Sequence, residues 1–64
     1  MSAPEVFDSI KAVVRREYPA TFEVVGEYSF PSGWTPTLLK ERQTGTLWGV
    51  SSIAELRTLA LLLK

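Results

Sequence analysis

The chain has 64 residues, with neither cysteine nor histidine, and seven basic residues balance seven acidic ones. These absences remove disulfides, thiolate nucleophiles, the commonest general base and the commonest metal ligand, so a metal site would need carboxylates alone. A net charge of zero runs against the basic excess usual in nucleic-acid-binding domains, and no stretch approaches the roughly 18 apolar residues of a membrane span.

A chain of this length is expected to form one domain, and such a domain buries only about 60 % of the surface its unfolded chain exposes. The opening residues Met1-Ser2-Ala3-Pro4-Glu5 contain no basic n-region and no apolar core, which predicts a cytoplasmic protein without a signal peptide.

Residues 4–17 have the pattern of an amphipathic helix. Val6, Phe7, Ile10, Val13 and Val14 recur at three- and four-residue spacing and form one stripe. Glu5 and Asp8 come early and Lys11, Arg15 and Arg16 late, an order that complements the helix dipole. Ser2 to Glu5 spells a capping box, with Ala3 as the alternative cap because it precedes Pro4. Pro19 must stop the helix near Tyr18.

Residues 21–30 alternate as a strand does. Phe22, Val24, Tyr28 and Phe30 are expected on a buried face, and Thr21, Glu23, Glu27 and Ser29 on a wet one. Gly26 falls on the buried side and marks either a bulge or a close crossing of the first helix. Pro31-Ser32-Gly33 reads as a turn. A second strand is expected over 34–42, edge-like at its start because Pro36 lacks a donor. Gln43-Thr44-Gly45 forms the next turn, and 46–50 is a short third strand.

Residues 52–63 form the second helix. Ser52-Ile53-Ala54-Glu55 is a capping box followed directly by an apolar run. Ile53, Leu56, Leu59, Ala60 and Leu63 make its core stripe. The expected fold is therefore α+β, a helix, a three-stranded antiparallel meander and a helix (α-β-β-β-α), with both helices on one sheet face.

That element order resembles the double-stranded-RNA-binding domain along the whole chain. The family carries a lysine-rich start to its second helix, where this chain has Ser51-Ser52-Ile53-Ala54-Glu55. The likeness is one of topology and does not reach those contact residues.

Several residues exceed what folding requires. Leu59-Ala60-Leu61-Leu62-Leu63 makes the second helix apolar nearly all round, and such helices are buried nearly all round. Leu59, Leu61, Leu62 and Leu63 are the candidate interface. Burial of two leucines per protomer contributes about 3–6 kcal/mol before the costs of association. Trp34 and Trp48 are expected at the core or its edge rather than as a stacking platform. Lys11, Arg15, Arg16, Lys40 and Arg42 read first as a solvated face, with Glu17 and Glu41 among them, and second as a patch for phosphates. Glu23 and Glu27 stand about 13 Å apart along a strand, too far for a carboxylate pair unless the chain bends at Gly26.

No phosphate loop, nucleophile elbow or calcium loop is present in the sequence. The expectation is a non-enzymatic module without cofactor or membrane role, acting through protein contacts as a homo-oligomer or a subunit of a hetero-complex. A small nucleic-acid-binding domain is the alternative.

Overall fold

A computed structural model describes residues 3–63. The order is α1 (Ala3–Glu17), β1 (Phe22–Glu27), β2 (Thr37–Glu41), β3 (Leu47–Val50) and α2 (Ile53–Leu62). The three strands form one antiparallel sheet in the order β1-β2-β3. The α-β-β-β-α meander is thus as expected, with shorter strands. The cap expected at Ser2 lies outside the described residues, and Ala3 is the first helical residue.

α1 closes where Pro19 requires. Tyr18 N–H makes the last helical bond, to Val14 O at 2.9 Å, and Tyr18 O then accepts from Thr21 and Phe22 to turn the chain into β1. Ile10, Val13 and Val14 face the sheet from α1, and Leu56 and Leu59 from α2. Phe22, Leu39 and Val50, one from each strand, meet them. Both helices therefore cover the same sheet face, and the core lies between the two layers.

β1 departs from simple alternation at one point. Val24 pairs with Leu39 and Gly26 with Leu38, so Val25 has no partner across the ladder. This is a β-bulge, and an inserted residue exchanges the two faces for everything beyond it. Gly26 thus marks a bulge and not a helix crossing, since a Cβ added there would meet nothing within 4 Å.

Tyr28 and Phe30, expected in the core, are instead 50 % and 37 % exposed. The bulge turns them to the face away from the helices, while Glu27 comes opposite the buried Thr37. The two rings meet edge to face at 4.7 Å, and Phe30 stacks on Trp34 at 5.0 Å. Gly33, at φ +95°, closes the turn by donating to Phe30 O at 2.9 Å. Trp34 then crosses to β3, where an added Cβ on Gly49 would come within 3.3 Å of both its ring and Pro36. A side chain at position 49 would have to push the Trp34 ring and Pro36 aside by a few tenths of an ångström. The indole N–H of Trp34 donates to Ser51 Oγ at 2.7 Å.

The start of α2 follows the capping box. Glu55 N–H donates to Ser52 Oγ at 3.1 Å, and Glu55 Oε1 accepts from Ser51 N–H at 2.7 Å. Replacing Ser52 by Ala removes the acceptor for an orphan helix donor and is expected to lower stability by about 1 kcal/mol. The check is a lower urea midpoint at unchanged slope.

Candidate functional site

Two features position α2. Its first turn is anchored by the cap just described. Its middle is tied to α1 by Arg57, whose guanidinium donates to Glu17 Oε1 at 2.7 Å, to Glu17 Oε2 at 3.1 Å and to Tyr18 Oη at 3.2 Å. This two-pronged geometry is the strong form of an arginine–carboxylate pair. The hydrogen bonds from Arg57, and next those from Arg16, lower the pKa of Glu17 from its ordinary 4.5 to about 2.

Held in this way, α2 leaves an open groove of about 330 Å³ between itself and β3. Trp48 and Val50 form its strand wall, and Ala54, Thr58, Leu59 and Leu62 its helix wall. Glu55 also lines it, but that carboxylate already accepts the Ser51 N–H. Thr58 is the other polar residue of the walls, and the rest are apolar.

The four leucines of the candidate interface separate into distinct positions. Leu59 is buried in the core and exposes only an edge as the groove floor, and Leu63 packs partly against the core. Leu62 is 77 % exposed at the groove rim beside Trp48, which is itself 36 % exposed. Leu61 is 67 % exposed and lines a separate hollow with Tyr18, Thr21, Arg57 and Ala60. Adjacent helical residues point about 100° apart, so the two exposed leucines belong to neighbouring faces rather than one patch.

The five cations do not form one surface. Lys11 lies 3.6 Å from Asp8 and over the Phe7 ring, and Arg16 is 3.3 Å from Glu17. Lys40 is opposite Glu23 and Leu47 on the sheet face away from α1. Arg42 donates through Nε to Pro19 O at 2.9 Å. Arg15 and Arg42 do line one cleft, yet Glu23 stands in it, 4.0 Å from Arg42.

Reading residues in order missed the grouping of Trp48 with α2. A signal was present: the stretch 46–51 carries no charge and no proline, which is unusual for a strand with a free edge. Trp34 and Trp48, expected at the core or its edge, belong neither to the core nor to the hydrophobics packed against it, and are 48 % and 36 % exposed, with Trp34 stacked on Phe30 instead. Comparison with family models, curated proteins and solved structures returns no significant match.

The Glu17–Arg57 tether makes stability depend on acid. Because the folded-state pKa of Glu17 is depressed, its contribution is complete above about 4.5 and is lost as the pH falls toward 2. Glu17→Gln is expected to lower the urea midpoint at neutral pH, with the gap to the unsubstituted protein closing near pH 2. A gap of the same size at both pH values would remove the tether as its cause.

Proposed function

We propose that this chain is a non-enzymatic protein–protein interaction module that self-associates through its C-terminal helix. The observation that carries this reading is Leu62, 77 % exposed at the rim of an apolar groove that also presents Trp48. Single exposed leucines are common on soluble proteins, but one placed against a groove with an exposed tryptophan can fill a matching groove on another copy. A net charge of zero adds no long-range repulsion between copies.

A standard interface removes roughly 800 Å² per partner. That is about a fifth of the 4334 Å² that this chain exposes. Association would also add burial to a domain whose own core is limited by its size.

Absolute mass from light scattering, over a dilution series from about 100 μM downward, tests this reading. The expected result is a mass of two or more chains at the upper concentrations. The double substitution Leu61→Lys and Leu62→Lys is expected to return a folded single chain. A single chain at every concentration before any substitution sinks the proposal.

A further inference from the structure

The sheet has two free edges, and they are treated differently. β1, at one edge, carries the bulge at Val25 and the charged residues Glu23 and Glu27. Bulges and charges are devices that keep an edge strand from pairing with another chain. β3, at the other edge, has neither. The run Thr46-Leu47-Trp48-Gly49-Val50-Ser51 holds no charge and no proline, and its register against β2 is unbroken.

The ladder shows which backbone groups of β3 are free. Glu41 N–H donates to Thr46 O at 2.8 Å, which sets Thr46, Trp48 and Val50 as the residues whose polar groups face β2. In an antiparallel ladder the residues between them point outward. Leu47 and Gly49 therefore present N–H and C=O to the open edge.

Resting on the self-association proposed above, we infer that two copies join β3 to β3 antiparallel about a two-fold axis at Trp48, giving one continuous six-stranded sheet. The register follows from the free groups. With Leu47 opposite Gly49 of the partner subunit, every outward residue meets an outward residue, and the two symmetric pairs make four backbone hydrogen bonds. A shift of one residue sets outward groups against inward ones. A shift of two sets Gly49 against itself and Leu47 against Ser51 of the partner subunit, but the Ser51 N–H is already given to Glu55. The opposite shift sets Gly49 against Gly45 of the partner subunit, in the turn at φ +77°. Only the register centred on Trp48 uses both free residues.

The side chains agree with that register. Trp48 would face its own copy in a non-hydrogen-bonded pair, with Cα atoms about 4.5 Å apart. Trp48 pairs with the core residue Leu39, so it projects on the helix side. The groove sets α2 back from this edge, and the two grooves would flank the paired indoles, with Leu62 from each copy closing them. The edge strand and the helix rim then form one interface.

The chain has no cysteine, so Trp48→Cys places a single thiol at the axis. The expected Cα separation lies within disulfide range, and mild oxidation should link most of the protein into a covalent dimer. Leu47→Cys, one residue away on the opposite face, should stay largely unlinked. A second variant guards against misfolding of the first. Leu47→Pro removes an outward N–H and no bond to β2. It is expected to raise the dimer dissociation constant by roughly tenfold to a hundredfold, with Leu47→Ala shifting it far less. If the protein dimerises while the Trp48 thiols stay unlinked and Leu47→Pro binds as tightly as Leu47→Ala, edge pairing is overturned and association through α2 stands. If the unsubstituted chain is a monomer throughout, both readings fall together.

Discussion

Val25 has no partner on β2, and most of what distinguishes this small fold follows from that unpaired residue. Before it, β1 alternates as a half-buried strand should, with Phe22 fully buried and Glu23 exposed. Beyond it the phase is reversed. Tyr28 and Phe30 leave the side of the helices, and Phe30 stacks on Trp34 across the β1–β2 turn. Trp34 is then carried onto Gly49 and bonded to Ser51, so a bulge in the first strand fixes the environment of the third. Without the extra residue the rings of Tyr28 and Phe30 would compete for a core already filled by Ile10, Leu39 and Leu56.

The same economy governs the helices. Two helices over a three-stranded sheet enclose a single thin layer, and a chain of this size has no third layer to cover the outer side of α2. α1 meets this limit by keeping a polar outer face, whereas α2 exposes Leu61 and Leu62 beside its polar Glu55, Arg57 and Thr58. Arg57 is the charged residue that binds α2 back to α1, through Glu17 and Tyr18. The remaining surface of α2 carries Leu61 and Leu62 on neighbouring faces, and Leu62 borders the groove that Trp48 also lines.

What could be read from sequence was local. Pro19 ends α1, Ser52 and Glu55 cap α2, and Gly33 and Gly45 sit at positive φ in the two turns, because each depends on residues within one turn of chain. Gly26 announced the bulge but not its consequence, since strict period two was carried through it to Tyr28 and Phe30. The tether between Glu17 and Arg57 spans 40 residues and leaves no pattern along the chain. The leucine run announced surplus apolar surface, yet its division into a Leu62 rim beside Trp48 and a Leu61 hollow beside Tyr18 depends on which strand lies under α2. The basic residues looked grouped by helical spacing, but Lys40 lies on the sheet face opposite α1.

The groove and the edge strand are coupled through Ser51. Its N–H is held by Glu55 of α2, and its hydroxyl by the indole of Trp34. One residue therefore ties the end of β3 to the first turn of the helix above it and to the aromatic cluster below the sheet. Such a junction ties together the end of β3 and the start of α2, the two elements that wall the groove. An edge that is free of bulges, uncharged and backed by a largely apolar groove has little ordering left to do on pairing. β1, kinked by its bulge and flanked by Glu23 and Glu27, is the opposite case. The asymmetry between the two edges thus lies in the bulge and the charges that β1 carries and β3 lacks.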